Sequence, residues 1–300
     1  MPVNHQSFLL ATADKKWSVG IYQGNSPFSL RPVAHNPVIE ATHITDLSAD
    51  FVADPFMLQY RGEWFLFFET LPVPSITQHD PVEANGVIGL AKSSNGLDWH
   101  YEGTALQEPW HLSYPHVFES RGIQYMLPET LGADCIRLYK ADAFPYQWSP
   151  VADLLPGRHA DATPFYYRQQ WWMFSCATPD EHDTLELHYA SDLTGPWLPH
   201  PSNPIIENNP RIARPAGRVI QWQNRLFRFA QDCYPRYGNQ VRVFEISELS
   251  PHRYTEQECR ESPILSPVGH GWNGRNMHHI DLHQLGNGQW LACVDGYHHE

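Results

Sequence analysis

The sequence repeats one pattern: an apolar segment, a short polar turn and an aromatic-rich segment. Three copies align without a gap, DPFMLQYRGEWFLFFE at 54–69, YPHVFESRGIQYMLPE at 114–129 and DATPFYYRQQWWMFSC at 161–176. Two looser copies follow, RPAGRVIQWQNRLFRFAQ at 214–231 and HHIDLHQLGNGQWLACVD at 278–295. Each copy has the composition of a β-hairpin. Five hairpins at intervals of roughly 45 to 70 residues are typical of propeller blades, which bury their faces only against neighbouring blades.

The segments between the hairpins supply further strands. They are VIGLAKSSNGLDWHYEG, IRLYKADAFPYQWSP, LELHYASDLTGPWLPH and VRVFEISELSPHRYTEQ. No such segment follows the fifth hairpin, whereas KWSVGIYQG near the N-terminus has a strand pattern without a hairpin of its own. We therefore predict an all-β, five-bladed β-propeller formed by residues 1–300 as one domain, with the ring closed by N-terminal strands that complete the last blade. The alternative, a β-sandwich, would have shorter and more uniform strand spacing.

The charge balance argues against binding to nucleic acid or to an anionic membrane. The chain has 20 Lys and Arg against 33 Asp and Glu, a formal net charge of −13, and no basic run. An acidic protein with 13% aromatic residues suits a neutral, hydroxyl-bearing ligand. The C–H faces of a sugar stack on aromatic rings and its hydroxyls bond to carboxylates. An ordinary acidic surface has the same composition.

The cysteines and the N-terminus bear on the compartment. Five cysteines without C-x-x-C spacing indicate neither a disulfide framework nor a zinc site, and they favour a reducing compartment. The N-terminal apolar patch is too short for the core of a signal peptide, and no segment approaches transmembrane length. We expect a cytoplasmic protein without membrane insertion. No cofactor or metal is predicted, and an axial calcium ion stays open.

The ends of the hairpins identify a candidate site. The start of the first strand and the end of the second lie side by side because the strands are antiparallel, and the innermost strand of a blade lines the axial channel. These positions hold mostly ionisable residues, where a purely structural sheet would favour Gly, Asn and Ser. Blade by blade they are Asp54 with Glu69, Tyr114 with Glu129, Asp161 with Cys176, Arg214 with Gln231 and Asp232, and His278, His279 and Asp281 with Asp295.

Paired carboxylates across a funnel are what glycoside hydrolysis requires. One protonates the leaving oxygen while the other activates water or attacks the anomeric carbon. Clustered like charges also raise at least one carboxyl pKa. For any single acid, a bond to a sugar hydroxyl or to a backbone amide is the alternative role.

Some further residues lie outside this alignment. Trp272 and Arg275 belong to the Gly-rich stretch VGHGWNGRNMHH, where Trp272 is a candidate sugar-stacking platform and Arg275 a candidate substrate contact. The MHHID segment could bind a metal, but adjacent histidines in a strand point to opposite faces, so we expect only His279 to face the funnel, as a hydrogen-bonding group. Six tryptophans fall inside the blade pattern and are expected to pack between blades: Trp64, Trp99, Trp148, Trp171, Trp172 and Trp197.

Several motifs carry a family resemblance. ADPF, SSNGLDW and ASDLTGPW resemble the five-bladed propellers of glycoside hydrolase family 43 and its relatives, which cleave arabinosides, xylosides and fructosides. FVADPF, FFET, HLSYPHVFE, YMLPE, RPAGR, QDC with YGNQV, and HHID are similar to a narrower group. That group is the N-terminal propeller domain of plant glucosamine inositolphosphorylceramide transferase and its free-standing bacterial counterparts. The similarity covers most of the chain.

The broader resemblance implies roles for three acidic residues. It implies an aspartate general base on the inner strand of blade one, which is Asp54, and a second aspartate that orients the substrate, which Asp161 could supply. It also implies a glutamate general acid at the start of a later inner strand. That glutamate is absent, because blade four opens with Arg214-Pro215. Glu129 is the substitute candidate.

Three functional hypotheses follow. The first is an inverting glycoside hydrolase or a glycosyl-transfer enzyme, with Asp54 as base, Glu129 as acid and Asp161 orienting the substrate. Arg214 would contact an anionic or hydroxyl group, or else form an ion pair with Asp161 or Glu129. The second is a non-catalytic carbohydrate-binding propeller that assists a separate glycosyltransferase in polysaccharide or glycolipid synthesis. The third is a protein-interaction scaffold, for which the axial acids would be superfluous. The expected substrate contacts are Glu69, Tyr114, Arg214, Gln231, Asp232, Trp272, Arg275, His279 and Asp281.

Overall fold

The computed structural model describes residues 16–76, 81–82 and 84–299, and its regular structure is almost entirely β. The N-terminal segment that bears on a signal peptide lies outside these ranges. The first strands are β1 Trp17–Ser26, β2 Ser29–Pro32, β3 Ala49–Tyr60, β4 Glu63–Pro72, β5 Ser75–Ile76, β6 Pro81–Val82, β7 Val87–Ser93, β8 His100–Leu106, β9 Ser113–Ser120, β10 Ile123–Glu129, β11 Cys135–Ala143 and β12 Gln147–Pro156. The remaining strands are β13 Ala160–Tyr167, β14 Gln170–Cys176, β15 Leu185–Ala190, β16 Leu198–Pro199, β17 Ile220–Trp222, β18 Arg225–Asp232, β19 Gln240–Ser250, β20 Arg253–Glu258, β21 Gly271–Asn276, β22 Ile280–Gln284 and β23 Trp290–His299.

Two short 3-10 turns, Ala41–His43 and Leu131–Ala133, are the helical segments of the described ranges. None of the helical structure in those ranges has the length and apolar character needed to span a membrane.

The strands form five antiparallel blades around one axis, as predicted. From the axis outwards, blade one is β3-β4-β7-β8, blade two β9-β10-β11-β12, blade three β13-β14-β15-β16 and blade four β17-β18-β19-β20. Blade five is β22-β23-β1-β2, with β21 also paired to β23. The small β5-β6 ribbon stands apart from the blades.

The predicted ring closure is confirmed. Strand β1 pairs with β23 along its length, from Trp17 opposite Tyr297 to Gly24 opposite Trp290. The first strand of the described chain therefore supplies the third strand of the last blade, which leaves no unpaired edge on β23.

The hydrophobic core consists of five clusters, each in the gap between two neighbouring blades. Strand β4 shows how the sequence builds them, because successive side chains of a strand point to opposite faces. Phe65 and Phe67 pack toward blade two, whereas Leu66 and Phe68 pack toward blade five. The six tryptophans assigned to blade packing all lie in these clusters, which confirms that prediction.

A buried aspartate, Asp281, fastens the inner strands at the axis. Its carboxylate accepts hydrogen bonds from the backbone N–H of Met57, at 2.8 Å, and from Nε of Arg218, at 2.8 Å. The same guanidinium donates to the carbonyl of Val117, at 2.9 Å. These bonds join blades one, two, four and five. Asp281 is therefore a structural residue of the axis, which corrects the expectation that it faces the funnel.

Candidate functional site

Three equivalent β-bulges orient the first residue of the in-register repeats. In blades one, two and three the hairpin pairing slips by one residue at this position. The bulged residues are Asp54, Tyr114 and Asp161, with φ values of 50°, 46° and 53°. Left-handed backbone is uncommon for residues other than glycine, and bulges of this kind re-aim a side chain. The bulges thus turn two aspartates and one tyrosine toward the axis.

A cavity of about 200 Å³ opens at this end of the axis. That is roughly the liquid volume of six or seven water molecules. Its wall is acidic and aromatic, with contributions from blades one, two and five and from the loops before β9, β17 and β19. The lining residues are Trp17, Phe51, Ala53, Asp54, Glu69, His111, Ser113, Glu129, Arg214, Tyr237 and His278.

Arg214 is the buried cation of the site. Its Nε lies 2.6 Å from Oδ2 of Asp161, and its Nη2 lies 3.3 Å from Oε2 of Glu129. Its Nη1 donates to the carbonyl of Pro179 and lies 2.9 Å from Nδ1 of His182. Both alternatives for its ion pair are therefore realised at once. Gln231 donates a further bond to Asp161, at 2.8 Å, so that carboxylate is fully engaged behind Arg214.

Glu129 faces the cavity with a pKa suited to proton transfer. Its two oxygens accept hydrogen bonds from Ser113 Oγ, the backbone N–H of Asp161 and Arg214 Nη2, each at 3.3 Å. Burial raises the pKa of Glu129 to about 7, although Arg214 lowers it. A carboxyl group with such a pKa exists in both protonation states near neutrality.

Asp54 lies in the same cavity wall beside a histidine–aspartate pair. Its backbone N–H donates to Oδ2 of Asp295, at 3.1 Å, and the same oxygen lies 2.6 Å from Nδ1 of His278. The other oxygen of Asp295 accepts the backbone N–H groups of His278 and His279. Burial and the neighbouring carboxylates, Asp161 foremost, raise the pKa of Asp54 well above its ordinary value.

Two aromatic rings and a third carboxylate complete the wall. Trp17 stacks on His278 with ring centroids 4.1 Å apart, and Tyr237 meets the same imidazole edge-on at 5.2 Å. Glu69 accepts a hydrogen bond from Nε2 of His111, at 3.0 Å, while Nδ1 of that ring accepts the backbone N–H of Gly86. Tyr237 and His111 are partly exposed, so both are accessible from the mouth of the cavity.

The structure brings Asp54, Glu69, Glu129 and Arg214 together in the cavity wall, as the hairpin alignment predicted. Asp161 and Gln231 lie directly behind them. Their positions agree with the expected convergence on the axis, and their contact with a ligand stays a prediction.

Other predicted contacts do not line the cavity. Tyr114 is fully buried. Its hydroxyl accepts a hydrogen bond from the N–H of Gly217, at 2.7 Å, and shares another with Thr163 Oγ1, at 2.8 Å. His279 is also fully buried, so the imidazole that faces the cavity is His278, which corrects the choice made from the sequence.

Three more predicted contacts have structural partners elsewhere. Asp232 is bound by Arg242, at 2.7 Å, within blade four. Trp272 packs over strands β1 and β23, where added side chains at Gly20 or Gly296 would collide with it. Arg275 lies over the ring of Tyr297. These placements correct the expectation that all of them surround the funnel.

Sequence reasoning missed several lining residues, of which Trp17, His111 and Tyr237 are the large ones. They precede or follow the repeated hairpins, so the alignment did not reach them. His111 lies in HLSYPH just before β9, and Tyr237 in YGNQV just before β19. The loop segments that precede the blade strands could have identified these residues.

Solved structures of similar shape place the fold in a class. A β-1,2-mannobiose phosphorylase from Listeria innocua matches with a TM-score of 0.67 and 12% identity, over 92% of this chain and 96% of that one. A glycosidase-like protein from Bacteroides thetaiotaomicron matches at 0.63 and 12% identity, over 91% and 96%. A thermostable family-43 glycoside hydrolase matches at 0.62 and 15% identity, over 88% and 92%. The chain is thus a five-bladed β-propeller of the architecture that these proteins share.

Sequence comparison defines the family more narrowly. The profile described as "Glucosamine inositolphosphorylceramide transferase 1, N-terminal" matches residues 11–297, and the chain belongs to this family. Glucosamine inositolphosphorylceramide transferase 1 of Oryza sativa subsp. indica is 34% identical over 310 residues, which is 96% of this chain and 41% of that protein. The Arabidopsis thaliana protein of the same name is 35% identical over 303 residues, 93% of this chain and 39% of that protein. The chain spans about two fifths of the length of these relatives.

Proposed function

We propose that the axial cavity binds a carbohydrate and acts on it as an inverting glycoside hydrolase. The observation that carries this proposal is the placement of two buried carboxyl groups, Asp54 and Glu129, in the wall of one cavity. Burial raises the pKa of Glu129 to about 7. A protonated carboxyl group near neutrality is what the departure of a glycosidic oxygen requires.

The reaction assigns one step to each group. Glu129 donates its proton to the leaving oxygen as the bond to the anomeric carbon breaks. Asp54 removes a proton from the water that attacks the opposite face of the sugar. The base role requires Asp54 to be ionised in the working protein. Asp161 holds the guanidinium of Arg214 by a hydrogen bond of 2.6 Å, and Arg214 in turn orients the substrate.

The wall composition supports a sugar ligand. The rings of Trp17 and Tyr237 can pack against the C–H face of a pyranose, and the carboxylates can accept its hydroxyls. Because the relatives carry glucosamine in their name, hexosamine glycosides are the first substrates to test. The ammonium group of such a sugar would meet an excess of carboxylates.

A second candidate function is carbohydrate binding without turnover, in support of a separate glycosyltransferase. Its specific support is the contact between Arg214 and Oε2 of Glu129. A guanidinium beside a carboxyl group lowers its pKa and favours the ionised form, which has no proton to donate. The relatives are named as transferases and are longer than this chain, which supports the same reading.

A screen of p-nitrophenyl glycosides and oligosaccharides separates the two functions. The wild type is compared with Asp54→Asn and Glu129→Gln, with hexosaminides included. Hydrolysis predicts turnover that both variants abolish while ligand binding persists. Binding by all three proteins without any turnover would overturn the hydrolase proposal in favour of the second function.

A further inference from the structure

The axial cavity is closed at its inner end by a layer of buried rings. Phe56 lies two residues beyond Asp54 on the inner strand β3. Its ring contacts Tyr114 and His116 of blade two, with centroids 4.8 Å and 4.7 Å apart, and a third ring, His279 of blade five, at 4.6 Å. Each of these four rings is at most 1% exposed. Because β3 runs from the cavity into the molecule, the layer fills the axis just beyond the cavity.

Hydrogen bonds tie this layer to the remaining blades. The hydroxyl of Tyr114 accepts the N–H of Gly217, in the segment before β17, at 2.7 Å, and shares a bond with Thr163 Oγ1 of blade three, at 2.8 Å. Farther along the axis, Nε of Arg218 donates to Asp281, at 2.8 Å. In the described part of the chain, these contacts connect all five blades and leave the cavity a single opening.

The mouth of the cavity is enclosed from several sides. His111 precedes β9, Tyr237 precedes β19 and Trp17 belongs to β1, and all three line the wall. His182, in the loop after β14, packs against Tyr237 with ring centroids 5.0 Å apart. A site for the middle of a sugar chain needs a groove that is open at two opposite sides. The described rim instead has the form of a pocket.

The cavity has room for one sugar ring. Its volume is about 200 Å³. Pockets for drug-sized ligands are larger, at about 300–1,000 Å³. Two buried carboxyl groups, Asp54 and Glu129, lie in the wall of this small space. A glycan can therefore bring a glycosidic bond to them only by inserting one of its ends.

We propose that the axial cavity takes the single sugar unit at the non-reducing end of a glycan, so that the protein acts on chain ends and not on internal glycosidic bonds. This inference rests on the proposed function, in which Glu129 is the acid and Asp54 the base. The anomeric carbon must then lie inside the cavity. A reducing-end unit in the cavity would leave the anomeric carbon of the next unit outside, away from both carboxyl groups.

The reaction releases one sugar unit per turnover. The oxygen of water bonds to the anomeric carbon of the enclosed unit as the bond from that carbon to the leaving oxygen breaks. Glu129 supplies the proton of the leaving oxygen, and Asp54 takes a proton from the water. The shortened glycan leaves through the mouth, and the free monosaccharide follows it.

The test varies the number of chain ends at constant sugar mass. Chitosan, xylan, arabinan, levan, mannan and a β-glucan are used intact and after partial acid hydrolysis. Binding to full-length Glu129→Gln is measured by calorimetry, and the first products of the wild type are identified by mass spectrometry. Shortening the chains about tenfold should strengthen binding per sugar mass about tenfold, because binding follows the concentration of ends by mass action. Borohydride reduction of the reducing ends should leave binding unchanged.

A matched pair of tryptophans assigns end binding to the cavity. Trp17→Ala, in the Glu129→Gln background, removes a ring from the cavity wall and should weaken binding at least tenfold. The control is Trp222→Ala in the same background. Trp222 lies at the tip of the β17–β18 hairpin, in an outer groove beside Phe28 with ring centroids 5.4 Å apart. Its loss should leave binding to chain ends unchanged.

The outcomes separate this inference from the hydrolase proposal. Binding that depends on chain ends, without turnover by the wild type, supports the inference and contradicts hydrolysis. Oligosaccharides of mixed length among the first products, or binding that follows sugar mass instead of chain ends, overturn the inference and leave hydrolysis or carbohydrate binding standing. End binding that is lost in Trp222→Ala and retained in Trp17→Ala overturns its assignment to the cavity. Absence of binding to every glycan of the panel overturns both proposals.

Discussion

At the scale of single residues, Arg214 explains how Glu129 and Asp161 can lie together in the interior. Side chains of both acids are at most 8% exposed, and the guanidinium bonds to each of them. Two buried carboxylates without a cation would repel one another and lose their hydration. The arginine that replaces the expected glutamate in blade four is therefore also what makes the acidic site tolerable in the folded state.

Replacing Arg214 should be strongly destabilising. Arg214→Gln leaves two buried carboxylates without their cation, and we expect the free energy of unfolding to fall by about 3–5 kcal/mol. The control is Arg225→Gln, which breaks an exposed pair with Glu245 and should change stability far less, because solvent screens an exposed ion pair. Urea denaturation of both variants measures the difference. Equal effects would contradict the proposed role of Arg214.

Glu129 should make stability depend on pH. Its pKa rises from 4.5 to about 7 on folding, so the folded state binds more protons between these values. Its contribution to the free energy of unfolding is therefore complete below pH 4.5 and disappears as pH rises through about 7. From pH 5 to 8, wild type should lose about 1–3 kcal/mol relative to Glu129→Gln. Urea titrations at pH 5, 6, 7 and 8 measure this, and parallel curves for the two proteins would refute it.

The residue positions of the site were only partly predictable. Asp54, Glu69 and Glu129 were identified because the hairpin register places them at strand ends beside the axis. Tyr114 occupies an equivalent position, but its hydroxyl is taken up by Gly217, which lies in another blade. Such a partner is remote in sequence, so the repeat alone could not distinguish an axial structural residue from a cavity residue.

At the scale of elements, the hairpin repeat predicted blades one to three well and blade four less well. The fourth copy begins at Arg214, yet its inner strand β17 starts only at Ile220. Pro215 cannot donate to a sheet, and a side chain at Gly217 would lie 1.8 Å from the carbonyl of Ile280. Blade four therefore has a short inner strand, and the segment before it passes close to blade five.

Strand β1 should be essential to the whole ring. Removing residues 1–36 takes two strands from blade five and exposes the edge of β23, so we expect a chain without a cooperative unfolding transition at 25 °C. A milder test is Ile21→Ala, which empties a fully buried position of β1 and should reduce stability by about 2–5 kcal/mol.

The matched control is Arg31→Ala on the exposed strand β2, which should change stability by about 0.5 kcal/mol or less. Circular dichroism followed during heating and urea titration measures all three proteins. A truncated chain that melts like the full one would contradict closure of the ring by β1.

At the scale of the whole molecule, the propeller brings residues from all its blades to one axis. Each blade buries its faces only against its neighbours. The strand ends at the axis are therefore not needed for the hydrophobic core and can hold charged residues. The proposed hydrolase and the proposed binding function both use that freedom. They share one central claim, that the axial cavity is a carbohydrate site.

Glycan-array binding tests that claim most directly. The probe is Glu129→Gln, which should bind without turnover, compared with the double variant Glu129→Gln, Trp17→Ala, which also loses the stacking ring. We predict that Glu129→Gln binds a defined set of glycans, hexosamine-containing ones among them, and that loss of Trp17 weakens this binding at least tenfold. Absence of binding to any glycan, or binding that the loss of Trp17 leaves unchanged, would contradict the account.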